Sequence, residues 1–267
     1  MTAARAIALV AALLCLSPIP EAFAQSCLPV SLASFGLVGS GDDDTAVFQA
    51  ALNAASGQSW TLYVPVPPSS PYLVNSLFVK SNTKVEFAPG VVIQARPGYG
   101  GDDCLLTMRN VKNVTISGYG ATLQMPKAEY TSGEMRHALS IRGSSDVVVR
   151  GLACNSSGGD GLYIGEGSPN NYCKNVLIQD VTCDNNRRQG MSIISAENLL
   201  VQRCQFTNTN GTAPQDGIDI EPNHATNRLV NVRIEDCVTA NNHGNGIEIP
   251  LGNLDGTSQP VSITVSR

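Results

Sequence analysis

Three carboxylates fall within six positions in Gln215-Asp216-Gly217-Ile218-Asp219-Ile220-Glu221-Pro222. The apolar residues Ile218 and Ile220 alternate with acids, the mark of a strand with one face in a core and one in water. Asp219 and Glu221 then share the outer face, roughly 7 Å apart at the usual rise per residue. Crowded carboxylates raise one another's pKa, and two chemistries use that. One group stays protonated as general acid while its neighbour acts as base, the pairing that cleaves glycosides. In the other, a calcium ion held by Asp216, Asp219 and Glu221 grips a sugar acid. A solvated acidic patch with no chemical role is the plain alternative.

The elements that carry these acids repeat. Gly-apolar-x-apolar recurs as Gly161-Leu162-Tyr163-Ile164, Gly190-Met191-Ser192-Ile193 and Gly246-Ile247-Glu248-Ile249, with a looser copy at Ala138-Leu139-Ser140-Ile141. Stacked coils about 4.8 Å apart turn such repeats into columns. The outward column holds Ser140, Tyr163, Ser192, Asp219 and Glu248. The position before each repeat glycine or Ala138 holds His137, Asp160, Gln189, Asp216 and Asn245. Two residues beyond the outward column stand Arg142, Gly165, Ile194, Glu221 and Pro250.

Asp219 and Glu221 are the expected catalytic pair, with Asp216 assisting or binding metal and His243 as acid or base near neutral pH. Tyr163 is placed to stack on a sugar ring, or is a simple β-former. Arg187 and Arg188 suit a sugar carboxylate, or are solvated bend residues. Asp160, Glu248 and His137 complete the expected substrate-binding set.

The chain has 267 residues and a formal charge of -5, which suits one domain with a full core. Without a basic run, and with aromatics at 5%, nucleic acid is not an expected partner. Arg5, the apolar run 6–16 and Ala22-Phe23-Ala24 form an export signal over residues 1–24. That run is too short to span a bilayer. A secreted or periplasmic protein is expected, free of the membrane after cleavage. Eight cysteines leave seven once Cys15 departs with the signal. Cys154 and Cys183 share a column, as do Cys204 and Cys237, and are expected as buried thiol stacks rather than disulfides. No CxxC is present to suggest zinc.

Coil anchors Ile116, Val149, Ile178, Val201, Ile234 and Ile263 are spaced by 33, 29, 23, 33 and 29 residues. Asn and Gly mark the bends at Asn185-Asn186, Asn208-Thr209-Asn210-Gly211 and Asn241-Asn242. Insertions near 168–172, 211–214, 224–227 and 251–258 are expected to wall a binding face. Val261 to Arg267 ends in mid-strand with no closing helix in sight. Further coils or a partner are expected to cover that end.

Upstream, a glycine turn, Asp43-Asp44 and the apolar face Val47, Phe48, Ala51, Leu52 and Ala55 predict a short capping helix. Asp43 or Asp44 is expected to cap its free N–H groups; a metal site is the alternative. Phe35, Gly36, Gly39, Gly41, Asp43, Asp44 and Thr45 stand where the pectate-lyase superfamily opens with Phe-Gly-Ala-x-Gly-Asp-Gly-x-x-Asp-Asp-Thr. Tyr63-Val64-Pro65, Tyr72-Leu73-Val74, Val85 to Gly90 and Val114 to Gly120 continue the likeness. The chain thus resembles that superfamily over nearly all of residues 25–267, with the cap at about 32–65. The resemblance implies an all-β, single-stranded right-handed parallel β-helix with a short N-terminal capping helix.

Three enzyme groups of that superfamily are similar in part. Asn208-Thr209-Asn210-Gly211 and Asn242-His243-Gly244 resemble polygalacturonase segments, whose Asp-Asp pair has no counterpart here. Gly217-Ile218-Asp219 resembles the start of the alginate carbon-5 epimerase motif, with Ile220-Glu221 in place of Pro-His. Superfamily lyases use a Lys, Arg or Tyr base, and Arg187, Arg188 and Tyr163 are available. The expected function is modification of a uronate-rich polysaccharide by lyase or hydrolase chemistry. A carbon-5 epimerase, or a glycan-binding or structural β-helix without catalysis, are the alternatives.

Overall fold

The computed structural model describes residues 28–267, apart from positions 37, 40, 70, 99 and 101–103. The expected export segment and Cys27 lie outside the described residues. Parallel strands coil into a solenoid. One sheet has seven strands, Leu77–Val79, Leu106–Arg109, Leu139–Arg142, Leu162–Gly165, Met191–Ile193, Ile218–Asp219 and Ile247–Glu248. A fourteen-stranded sheet supplies the remaining walls.

The repeat is what stacks. Leu139, Leu162, Met191 and Ile218 form one fully buried inward column, and Ile141, Ile164, Ile193 and Ile220 form a second. Each such side chain contributes about 1.5–3 kcal/mol by leaving water. The repeat glycines are demanded by space: a Cβ on Gly190 would lie 2.5 Å from the carbonyl oxygen of Gly217 and 2.9 Å from Phe206 Cβ. A side chain there would hold the coils apart.

The bends follow the same logic. Asn82, Asn113, Asp146, Asn175, Asn198 and Asn231 adopt φ between 51° and 57°, which Asn and Asp tolerate best among residues with a side chain. Their side chains form a ladder. Asn175 Nδ2 donates to Asp146 Oδ1 at 2.9 Å, Asn198 to Asn175 at 3.1 Å and Asn231 to Asn198 at 3.0 Å. Asn185, Asn208 and Asn241 are left-handed too, as their bend positions require.

One detail of register differs from expectation, and the cap falls to one of the two expected acids. Val149 pairs with Ile116 and Ile178, and Ile234 with Val201, but Val265 rather than Ile263 lies opposite Ile234. The loop at 251–258 adds two residues before that strand regains the ladder, and alternation by two makes both choices look alike. The helix Thr45–Ala55 buries Phe48, Ala51, Leu52 and Ala55, with Val47 half-buried. Asp43 Oδ1 accepts from Thr45 N at 3.0 Å and so caps it. Asp44 instead accepts from Gly39 N at 2.9 Å and Leu73 N at 3.0 Å, tying the glycine turn to the first full coil.

Cys154, Cys173, Cys183, Cys204 and Cys237 are free thiols. Cys154 and Cys183 are buried neighbours on paired strands, and Cys204 lies one coil from half-buried Cys237. No helix among the described residues is long and apolar enough to cross a membrane.

Candidate active site

The column expected on the outer face, Ser140, Tyr163, Ser192, Asp219 and Glu248, is in register coil by coil, and the structure extends it toward the N-terminus through Thr107 and Phe78. Its middle is nonetheless dry. Ser140 and Ser192 are fully buried, Tyr163 is 8% exposed and Asp219 1%. The column that precedes the repeat is buried from His137 to Asp216. Carboxylates that were expected to stand in water therefore sit beneath other polar side chains.

Arg188 is the centre of these. Its Nε lies 3.3 Å from Glu134, and its two terminal nitrogens lie 3.7 Å from Asp160 and 3.7 Å from Glu221. Burial alone would make its proton easier to lose, but Asp160, Glu134, Asp219 and Glu221 reverse that and hold it more firmly cationic. Gln189 bridges the next coil. Its Nε2 donates to Asp219 Oδ2 at 2.8 Å, and its Oε1 accepts from Asp216 N at 2.7 Å.

The carboxyls respond to this setting. Burial lifts Asp219 to about 7, with the Glu221 charge adding and Arg188 opposing. Asp216 rises to about 6, chiefly by burial; the Asn245 backbone N–H that donates to its Oδ1 holds it down, while Glu248 pushes it up. Asp160 also rises to about 6 by burial, against the pull of Arg188. The charge of Glu221 on Asp219 and that of Glu248 on Asp216 add to the two rises, so each buried acid has a half-exposed carboxylate acting on it. Asp219 Oδ1 and Asp216 Oδ2 have no hydrogen-bond partner among the described residues.

Other expected residues take supporting places. His137 is buried and accepts at Nδ1 from Asp160 N at 3.0 Å, which puts its proton on Nε2. Burial keeps it neutral, and its ring stacks on Tyr163 with centroids 4.6 Å apart. Arg142 covers the same tyrosine at 4.1 Å from its centroid, so Tyr163 offers no open platform for a sugar. Arg187 is buried too: its guanidinium donates to Gly133 O at 2.5 Å, fastening a loop rather than facing solvent. His243 is exposed, and no hydrogen bond or ion pair joins its side chain to the carboxylates. Glu221 and Glu248 are half-exposed and form the rim with Arg188.

The segment 126–136 supplies a wall that repeat reading did not find. Lys127 Nζ reaches Asn185 Oδ1 at 2.9 Å and Asn210 Oδ1 at 3.1 Å, and Glu134 reaches Arg188. Tyr130 packs over Gly158, where a Cβ would lie 2.3 Å from the ring. The 33-residue step from Ile116 to Val149, against 23 from Ile178 to Val201, was the available signal for added chain here. Among the described residues no three His, Cys, Asp or Glu side chains assemble a metal-ligand set. Arg188 supplies positive charge among these acids.

The right-handed beta helix region family matches residues 103–259, more than half of the chain. The chain belongs to that family. It is 25% identical over 162 residues to the uncharacterized protein YclG of Bacillus subtilis (strain 168), a match that covers 54% of this chain and 27% of YclG. The chain thus spans under a third of that relative. Among solved structures, pre-mature bacteriophage phi29 gene product 12 superposes with a TM-score of 0.69 at 18% identity, over 89% of this chain and 32% of that one. The tailspike gp49 of Acinetobacter baumannii bacteriophage Fri1, a capsular polysaccharide depolymerase, gives 0.61 at 16% identity over 80% and 41%. An iota-carrageenase gives 0.55 at 16% over 79% and 49%. These likenesses establish the coil.

Proposed function

We propose that this β-helix protein is an exported enzyme that cleaves a polysaccharide by acid–base chemistry on the face of its seven-stranded sheet. The observation that carries the reading is Asp219, a buried carboxyl raised to about 7, with the charge of half-exposed Glu221 two residues on adding to that rise. Such a pair can donate a proton to a glycosidic oxygen near neutral pH. Asp216, three positions earlier on the same coil, rises only to about 6 with Glu248 of the next coil beside it, and once ionised can take a proton from water. Arg188 balances the charge left behind as protons move. Hydrolysis is balanced in this scheme: the proton goes to the leaving sugar oxygen and hydroxide to the anomeric carbon. The depolymerase and the carrageenase among the structural neighbours support a polysaccharide substrate.

A non-catalytic glycan-binding role is the second reading, favoured by the near-complete burial of Asp219. Proton NMR of acidic and neutral polysaccharides, incubated in heavy water with and without calcium, separates the outcomes. New reducing-end anomeric signals are expected, and their loss in Asp219→Asn and Glu221→Gln. An alkene proton would replace hydrolysis with lyase chemistry, and deuterium at carbon 5 without scission with epimerisation. Glycan binding with no new signal would sink the enzymatic reading.

A further inference from the structure

The same sheet face carries a second feature, several coils toward the N-terminus from the acids. A groove of about 400 Å³ is lined by Phe78, Thr107, Arg109, Met135, Ser140 and Arg142. Arg109 and Arg142 are direct partners on adjacent strands, so two guanidinium groups start from positions one coil apart. Like charges placed opposite one another on paired strands repel. Among the described residues neither arginine makes an ion pair, although other arginines and lysines make eight such contacts. Arg142 is held in place by its Nε, which donates to Ser140 Oγ at 2.9 Å, and by the Tyr163 ring beneath it. Arg109 is exposed.

Phe78 completes the groove. Phe78 is 54% exposed, an unusual state for a phenylalanine in a strand. Its backbone, by contrast, is clamped on both sides by Gln49 of the capping helix, which donates to Phe78 O and accepts from Phe78 N, each at 2.8 Å. The helix thus fixes the strand that carries an exposed aromatic ring beside two arginines that have no ion-pair partner among the described residues. An aromatic ring that can lie against a sugar and a guanidinium pair that can grip an anion together describe a saccharide subsite.

We propose that this groove binds an anionic substituent, a carboxylate or a sulfate ester, on the polysaccharide whose cleavage is proposed above, and the proposal rests on that reading. The row that starts Arg109, Arg142 continues through Gly165 and Ile194 to Glu221. Three coil spacings separate Arg142 from Glu221, ~14 Å. The anion is therefore bound away from the bond that reacts, and a chain lying along the axis is held with one orientation, its charge at the arginine end and its scissile bond at the acid end.

The test is calorimetric binding of three oligosaccharides of equal length to the full chain: an oligouronate, a sulfated galactan fragment and a neutral glucan. An affinity for one of the two anionic ligands that falls about tenfold in Arg109→Ala is expected, with unchanged Tm. The uronate and sulfate arms identify the anion. Arg142→Gln acts in the same direction, and Phe78→Ala weakens anionic and neutral ligands alike. Undiminished anionic binding in Arg109→Ala, or equal affinity for the neutral glucan, overturns the subsite. If a glycan is cleaved yet shows no arginine dependence, only the subsite falls. If none is bound or cleaved, the polysaccharide reading falls and takes the subsite with it.

Discussion

The Nε2 of Gln189 donates to Asp219 Oδ2 at 2.8 Å across one coil, while the Oε1 of the same side chain accepts from Asp216 N. One carboxamide thereby fixes the orientation of the central acid and the approach of the strand that bears its neighbour. Gln189→Leu leaves a buried carboxyl oxygen without its donor, at a cost of about 1–3 kcal/mol. Gln189→Glu adds a like charge instead, so its loss of Tm is expected to be larger at pH 8 than at pH 5. Thermal melts at both values check this, and equal losses would count against the contact.

Asp219→Asn is expected to abolish turnover and yet stabilise the fold at alkaline pH. The folded carboxyl binds its proton up to about 7, against 3.8 for the free group. The native state then holds more protons than the unfolded state between those values, and wild-type stability from this group falls as pH rises through them. The stability advantage of the variant is therefore absent below about pH 4, grows up to about pH 7 and is constant above. Comparing the two proteins cancels the opposing effect of His137, which stays neutral in the fold. An advantage that shrinks with rising pH would reverse the assignment.

Arg188→Met removes the cation that faces the fully buried Asp160. Breaking a buried pair from one side costs about 3–5 kcal/mol. Asp160→Asn in the same chain should recover a large part of that loss. Denaturant unfolding of the single and double variants measures the coupling, and additive losses would show that the two residues act independently.

Gly190→Ala should destabilise by about 1–3 kcal/mol, because its Cβ meets the Gly217 carbonyl oxygen at 2.5 Å. Gly252→Ala, with nothing within 4 Å of the added carbon, should be nearly neutral. The pair of Tm values tests whether close coil approach sets the repeat.

Calcium removal separates two ways of neutralising the acids. With Arg188 as their counter-charge, excess EDTA should leave Tm and turnover unchanged. Loss of both, restored by calcium, would return Asp216, Asp219 and Glu221 to the role of metal ligands.

The columns were legible because alternation by two and a glycine at a constant offset leave few ways to stack coils; Ser140, Tyr163, Ser192, Asp219 and Glu248 align as the repeat requires. Burial was not legible. Whether an outward carboxylate meets water depends on long polar side chains from neighbouring coils, such as Arg188 and Gln189, and no periodicity encodes their reach. Arg187 illustrates the same limit, since its partner is a carbonyl 54 positions away in the 126–136 segment. The last anchor failed for a simpler reason, as Ile263 and Val265 occupy the same face of one strand.

The outer column also bears on how such a protein changes through time. Ser192 occupies the same register as Asp219, one coil earlier, and its buried hydroxyl has no hydrogen-bond partner among the described residues. Each coil offers an equivalent socket whose backbone is already set by its neighbours. A carboxyl can therefore be placed at another step along the axis without a change of register, but its proton affinity there depends on neighbours such as Arg188 and Gln189, which serve Asp219. In this architecture a new position for the chemistry also brings a new stability cost, set by the burial and polar neighbours of the socket that receives it.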